Sequence, residues 1–377
     1  MKITILGAGS AGCFTALYFS YYTDDTVEVE LIHDPDILPT PVGQATLLLP
    51  PVLLWDTFQF NWYNNPIDAV PKTGILYEGW GKKKDKIFHP FPFGSTGMHF
   101  SPSKLQEYVL NAGKKLFKVT ESKVEDCTGI DSDYIIDCRG TPTNWEEYDF
   151  LENPLNSVLI SQKEGIEGNN LWTRSVATPD GWAFMIPQTS NSTSVGYLYN
   201  HSITSEGDAV SNFRDMFGIE EITTKLKFNN YIAKQPVIGD RVILNGNRLF
   251  FIEPLEATSI ETQLEWCRYI RDWIIGNKFD GPVAVKKIKT YIEEVKSFIL
   301  WHYQVGSKYN TPFWDYAKSF KIKDGMFHRR ISTIGTPEWH SNEFSPSMNF
   351  VDFGRKAAWN YGQWEPWNFK MWHEGVV

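Results

Sequence analysis

An α/β fold is predicted from three neighbouring features at the start of the chain. Ile3-Thr4-Ile5-Leu6 is a short apolar strand, Gly7-Ala8-Gly9-Ser10-Ala11-Gly12 is a glycine-rich turn, and Phe14, Leu17, Tyr18 and Tyr21 then recur at helical spacing. Asp24-Asp25 ends that helix, and Val27-Glu28-Val29-Glu30-Leu31-Ile32 alternates as a second strand. Strand, helix and strand in this order make a β-α-β unit, whose crossover requires the two strands to be parallel.

The remaining elements follow in order. The proline-rich stretch from Pro35 to Pro51 reads as loop, and residues 53–70 read as a helix. Thr73 to Trp80 begins a new strand pattern. Ser103 to Lys115 reads as a helix capped by Ser103, with Glu107 behind it and Leu105, Tyr108 and Val109 on its apolar face. Asp133 to Cys138 is another buried strand, ending in Arg139-Gly140. From about 150 to 240 the pattern turns to short β segments, and Arg248 to Glu253 returns to the first lobe. Ile260 to Ile275 is a long helix, and the rest is helical and rich in tryptophan, with seven of the fifteen tryptophans beyond residue 300. The expected division is residues 1–285 as a core with an inserted β-rich segment at about 150–240, and residues 286–377 as a helical region. At 377 residues, two linked lobes are expected rather than one simple core.

Composition removes several function classes. The net charge is −9 and the only basic run is Lys82-Lys83-Lys84, which excludes a nucleic-acid partner. No segment reaches the length of apolar residues needed to span a membrane. The start reads as a strand rather than a signal sequence. Cys13, Cys127, Cys138 and Cys267 are far apart, as free thiols in a reducing cytoplasm would be. No pair of the eight histidines has metal-ligand spacing with a carboxylate, so no metal is expected. Aromatic residues make up 15%, enough either to fill a core with bulky rings or to wall a flat ligand.

Gly7, Gly9 and Gly12 fit G-x-G-x-x-G between a strand and a helix. The first glycine allows the tight turn, the second lets backbone approach a pyrophosphate, and the third lets the helix sit close on the strand. Ser10 and Ala11 open a helix whose N-terminal N–H groups suit phosphate. The acid that commonly holds a ribose is replaced at the end of the second strand by His33, followed by Asp34; either can make that contact. This departure weakens a nicotinamide reading.

Further runs carry chemistry in combination. They are Pro41-Val42-Gly43-Gln44-Ala45-Thr46, a lone lysine at Lys72, Trp182-Ala183-Phe184-Met185-Ile186-Pro187, Gly246-Asn247-Arg248, and Phe251-Ile252-Glu253-Pro254-Leu255-Glu256-Ala257-Thr258-Ser259-Ile260. In this order, together with Phe298-Ile299-Leu300-Trp301-His302-Tyr303 and Thr311-Pro312-Phe313-Trp314, they resemble the flavin-dependent halogenases related to the tryptophan halogenases. The chain departs from that pattern at Gln44 (usually glutamate), Phe184 (tryptophan), Ala257 (serine) and Ser259 (glycine).

The resemblance implies a Rossmann-like FAD-binding core of the glutathione-reductase/monooxygenase type, with a β-sheet lobe and a tryptophan-rich substrate side. It implies that Val42, Gly43, Ala45, Asn247, Leu255 and Ile260 join Gly7, Gly9, Ser10, Ala11, Gly12 and His33 around FAD. Trp182, Phe184, Ile186 and Pro187 would screen flavin from substrate, and Thr258 and Ser259 would hold halide with backbone N–H groups. Ser259 would then have to adopt a glycine's turn while carrying a Cβ. Lys72 and Glu256 would be catalytic; His302 reads as a hydrogen-bonded core residue.

The implied reaction uses reduced FAD from a separate flavin reductase, because no second nicotinamide fingerprint is present. Chloride, bromide or iodide attacks a flavin C4a-hydroperoxide, and the hypohalous acid passes to Lys72, where a small electron-rich arene is halogenated beside Glu256. Direct hydroxylation by a flavin monooxygenase, and a flavin-binding protein without turnover, are the rival readings. The chain is shorter than a tryptophan halogenase, which implies a compact member with a reduced lid and a broad range of small substrates. Phage or other viral origin fits that size, with host cytoplasm as the location. A homo-oligomer is compatible with everything above.

Overall fold

The computed structural model describes residues 1–92, 95–165, 171–189, 191–322, 364 and 366–376. The predicted tryptophan-rich stretch between 323 and 363 lies outside the described residues.

A six-stranded sheet runs in the order Val237–Ile238, Val242–Leu244, Tyr134–Asp137, Lys2–Leu6, Glu28–His33, Lys118–Glu121. All neighbours are parallel except the first two, which form an antiparallel hairpin. The α/β reading from the first β-α-β unit therefore holds, with Ile3 paired to Val29 on one side and Tyr134 on the other. Helix α1 (Ser10–Tyr22) leaves the first strand through Gly7, whose φ is +93°. A Cβ on Gly12 would stand 1.8 Å from the Gly7 carbonyl oxygen, so only glycine lets the helix lie this close.

A second, seven-stranded sheet runs Thr224–Lys227, Ser157–Glu164, Ser192–Tyr199, Gly181–Thr189, Thr173–Thr178, Gly74–Glu78, Lys86–Pro90. It is antiparallel except where Thr173–Thr178 runs parallel to Gly74–Glu78. Gln44–Ala45, Gly97–Phe100 and Val70–Lys72 form a small antiparallel sheet, and Tyr148–Phe150, Tyr231–Ala233 and Phe250–Phe251 another.

Several expected boundaries are corrected. The helix expected over 53–70 is α2 (Leu49–Phe58): Pro50 and Pro51 sit in its first turn, where a missing N–H costs nothing, and Gln59 ends it with φ 57°. The next helix is α3 (Pro102–Ala112), with Ser101 rather than Ser103 at its N-cap position and no side-chain capping bond, tightening into a 3₁₀ turn at Gly113–Lys115. The β-rich segment also contains a helix absent from the sequence reading, α4 (Glu206–Phe217). Ser205 Oγ accepts from the Asp208 N–H and Gly218 closes it at φ 62°. Its Ala209 and Phe213 bury against Tyr197 and Val195 of the sheet.

The chain then returns to the first sheet. Asn245 donates to Thr15 of α1 at 3.0 Å, and α5 (Thr258–Ile274) is tied back by Trp266, whose indole N–H donates to Leu244 O at 2.9 Å. Helix α6 (Gly281–Gln304) begins at Asp280, which accepts from the Val283 N–H at 2.9 Å, and packs along α5. Helix α7 (Pro312–Ser319) follows. The terminal helix Pro366–Val376 lies against strand Lys86–Pro90, with Gly375 close to Ile87. Among the described residues, no helix is long and apolar enough to cross a membrane.

Candidate active site

One cavity of about 990 Å³ connects the glycine turn to the Phe251–Ile260 run. At one end it is lined by Gly7, Gly9, Ser10, Ala11, His33 and Asp34; Gly12 lies outside it, holding helix to strand as described above. Both candidates for a ribose contact therefore face the cavity. Arg139 and Lys123 line the same end, supplying positive charge that the sequence reading missed. Arg139 is itself held by two donations to Asp137, at 2.9 and 2.8 Å.

The middle of the cavity is bounded by Val42, Gly43, Ala45, Asn247, Leu255 and Ile260. Ser10 donates to Gln44 at 2.7 Å, so the strap loop is tied directly to the start of α1. Gln44 can make this bond without the charge of a glutamate. Gly43 lies so close to the second sheet that a Cβ would stand 2.6 Å from Gln188 Cγ and 2.8 Å from Ser194 Cβ.

Trp182, Phe184 and Ile186 alternate along strand Gly181–Thr189 and line one wall; Pro187, the next residue, points away from it. Phe184 covers Gly196, and any Cβ there would meet its ring within 2.1 Å. Trp182 is fixed by its indole N–H, which donates to Glu253 Oε2 at 3.0 Å, while Tyr303 donates to Oε1 at 2.6 Å. Burial pushes the Glu253 carboxyl up to about 7, against the pull of these donors.

Lys72 ends the short strand Val70–Lys72, whose partner across the ladder at Lys72 is Gly97. Alternation puts Val70 and Lys72 on the same buried face, and the lysine is 0% exposed. Its Nζ has no hydrogen-bond partner among the described residues and lies 5.2 Å from the Phe91 ring centroid. Burial lowers its pKa to about 7, and the nearby Glu256 charge pulls the other way. His99 and His89 adjoin it; burial and the lysine charge hold both imidazoles well below their ordinary pKa.

Glu256 owes its position to an unusual corner. Its φ is 72° and that of Ala257 is 54°, two successive left-handed residues without glycine's freedom. Such residues cost about 1–3 kcal/mol each and persist where surrounding packing holds them. Ser259, where the strain was expected, lies instead in the regular first turn of α5. The corner brings Glu256 near enough for its charge to act on Lys72, turns its carboxylate to His302 and Trp364, and leaves Thr258 and Ser259 as the first two residues of a 17-residue helix. The first N–H groups of a helix lack intrahelical partners, so this end suits an anion. Ser259 lines the cavity and Thr258 does not.

The residues around Glu256 were not foreseen as site residues. His302 Nε2 lies 3.2 Å from Glu256 Oε1 and 3.5 Å from the Tyr77 hydroxyl, while Nδ1 donates to Phe298 O at 2.8 Å. The bond at Nδ1 leaves Nε2 turned toward Glu256 Oε1. The indole N–H of Trp364 donates to Glu256 Oε2 at 2.8 Å, and its ring stacks on His89 with centroids 4.6 Å apart. Trp372 of the terminal helix packs on Tyr77 and His302 at 4.8 and 5.0 Å. Among the described residues, no cluster of three metal-ligating side chains is present.

The sequence model of the tryptophan halogenases matches residues 2–125 and 116–350. The chain belongs to the tryptophan halogenase family. Tryptophan 7-halogenase RebH of Lentzea aerocolonigenes is 26% identical over 435 aligned positions, covering 86% of this chain and 80% of the relative. The fold is shared with a tryptophan 6-halogenase, SttH, from Streptomyces toxytricini, at TM-score 0.78 and 17% identity over 100% of this chain and 90% of that one. It is shared as well with Xcc4156, a flavin-dependent halogenase from Xanthomonas campestris, at TM-score 0.76 and 16% identity, covering 100% and 89%. The Rossmann-like FAD-binding core expected from the fingerprint is thus the architecture of this family member.

A flavin-dependent family requires room for FAD and a halide, and the residues present fit both. Gly9 has nothing within 4 Å of where a Cβ would stand, so the backbone there is open to a phosphate. The cavity is at the upper end of the ~300–1,000 Å³ range of ligand sites, as a long dinucleotide needs.

Proposed function

We propose that this family member uses reduced FAD, oxygen and a halide to halogenate small electron-rich arenes, with Lys72 and Glu256 as its catalytic residues. The observation that carries the reading is Lys72: a fully buried lysine without a hydrogen-bond partner among the described residues, within reach of the Glu256 charge, in the cavity that begins at the dinucleotide turn. Burying an unpaired cation is costly, and groups perturbed in this way cluster at functional sites.

In this reading, FAD would be held by Gly7, Gly9, Ser10, Ala11, His33, Val42, Gly43, Ala45, Asn247, Leu255 and Ile260. Bound reduced flavin supplies the activation of oxygen that turns halide into hypohalous acid. Thr258 and Ser259, at the positive end of α5, hold the halide. Trp182, Phe184 and Ile186 keep the arene away from the flavin, and Pro187 stiffens the end of their strand. Lys72 receives hypohalous acid and donates a hydrogen bond to its oxygen, which makes the halogen more electrophilic. Glu256 takes the proton lost from the attacked ring carbon, with His302 holding its carboxylate from behind. Reduced flavin comes from a separate reductase, since the chain has one dinucleotide fingerprint.

The test is turnover of phenols and indoles by the protein with chemically reduced FAD, oxygen and bromide. A brominated product that requires bromide, and that Lys72→Ala abolishes, is expected. Products that are hydroxylated and never brominated would overturn the reading in favour of direct oxygenation.

A further inference from the structure

The place beside Glu256 and Lys72 already holds an indole, and it belongs to the chain. A chain of contacts runs from Lys72 to Glu256: Lys72 Nζ over Phe91 at 5.2 Å, Phe91 against His89 at 5.9 Å, and His89 stacked on Trp364 at 4.6 Å with their planes 28° apart. Trp364 then donates its N–H to Glu256 Oε2 at 2.8 Å, and the Glu256 charge acts on Lys72. The far side of the indole is closed edge-on by Phe298, Trp301 and His302, with centroids 5.6, 5.6 and 5.3 Å away. Trp364 thus has its ring stacked on His89 and its N–H on a carboxylate, with buried Lys72 reached through His89 and Phe91. The indole ring is electron-rich, the property that electrophilic halogenation selects.

We propose that Trp364 is itself a substrate, a resident indole that is halogenated within its own chain when no free arene displaces it. This rests on the reading that the site receives hypohalous acid. The step balances with that acid as the sole oxidant. A ring carbon of Trp364 forms a bond to bromine as the bromine–oxygen bond breaks. The departing hydroxide takes a proton from the Lys72 ammonium, Glu256 takes the proton of the substituted carbon, and water is the other product. A proton passing from Glu256 to Lys72 restores both groups. The same contacts name the free substrate best suited to replace it: a flat heteroaromatic with one ring N–H, such as a simple indole, which can stack on His89 and donate to Glu256.

The experiment incubates the full chain with reduced FAD, oxygen and bromide, without arene, followed by peptide mass spectrometry. Bromine is expected on Trp364, located by fragmentation because Trp359 and Trp367 share its tryptic peptide. Excess free indole should suppress that modification while being brominated itself, and Trp364→Phe should leave the position unmodified. Exposure separates the proposal from leaked oxidant: Trp55 and Trp62 are 47% and 38% exposed, Trp364 1%. Bromine spread over Trp55 and Trp62, or free indole brominated with Trp364 untouched in its absence, overturns the proposal. Should neither free indole nor any tryptophan be brominated, hypobromous acid added directly removes the flavin steps. Selective reaction at the buried Trp364 then upholds the proposal while the flavin reading falls, and reaction confined to exposed rings overturns it.

Discussion

Glu253 and Glu256 bracket the same Pro254–Leu255 corner, yet their carboxylates meet different surroundings. Both oxygens of Glu253 are taken, one by Tyr303 and one by Trp182, and its N–H donates to Asn230 Oδ1 at 2.8 Å. It is a packing residue that fixes the Trp182 wall, and it does not line the cavity. Glu256 is itself left-handed at φ 72°, accepts from Trp364 at one oxygen, and at the other has no hydrogen bond among the described residues, His302 Nε2 lying 3.2 Å away. Two residues of sequence separate an acid whose oxygens are both taken up by the fold from one that lines the cavity. The backbone corner, rather than the residue type, makes the difference.

The largest test of that contrast is catalytic. Lys72→Ala and Glu256→Gln should each lower bromination of a simple indole by about 10²–10⁴-fold, the usual scale for a lost proton-transfer group. Glu253→Gln, which keeps an acceptor for Trp182, should stay within an order of magnitude of wild type. The measurement is kcat at saturating bromide and reduced FAD. Equal losses at the two glutamates would erase the distinction.

The next effect is on stability, and the two buried groups should give opposite signs. Native Lys72 releases its proton near pH 7, whereas the unfolded chain keeps it to about 10.5. Between those values the unfolded state binds more protons, so stability rises with pH across that window. Native Glu253 keeps its proton to about 7, and the unfolded chain releases it near 4.5, so stability falls as pH rises from 4.5 to 7. Each slope is worth at most about 1.4 kcal/mol per pH unit. Lys72→Met should remove the rise above 7 and stabilise the protein most below it; Glu253→Gln should remove the fall between 4.5 and 7. Urea midpoints measured across both windows check this. A Lys72→Met profile parallel to wild type would mean the lysine is not desolvated.

Local patterns made half of this site readable in the sequence. The strand, glycine turn and helix at residues 3–22 are contiguous, and Lys72 and Glu256 were singled out because a motif surrounds each. His302 also lies in a motif but was read as a hydrogen-bonded core residue; His89 and Trp364 were not singled out, because each is an ordinary core aromatic until packing brings it to the site, and Trp364 reaches the Glu256 carboxylate from 108 positions away. Helix α2 was misplaced because Pro50-Pro51 reads as loop, although prolines are at ease in a helix's first turn. Helix α4 was missed inside a β-rich stretch: its amphipathic face is short, with only Ala209 and Phe213 buried. The strain at the corner was expected at Ser259, from a family glycine, and falls instead two and three residues earlier.

That displaced strain gives the smallest prediction, and the one that bears most directly on the corner separating the two glutamates. Ala257 holds φ 54° and ψ 36°, a conformation that costs an L-residue roughly 1–2 kcal/mol and glycine almost nothing. Glycine gives back about 0.5–1 kcal/mol through the greater freedom of its unfolded chain, so Ala257→Gly should stabilise by up to about 1 kcal/mol. Ser259, in the first turn of α5, is already helical, and glycine there relieves no strain. Ser259→Gly should therefore destabilise by a few tenths of a kcal/mol to about 1 kcal/mol. Opposite signs in urea melts at one pH would locate the strained corner at 256–257. The reverse pair of signs would return it to Ser259, and with it the view that Glu256 is aimed by the helix start rather than by the turn before it.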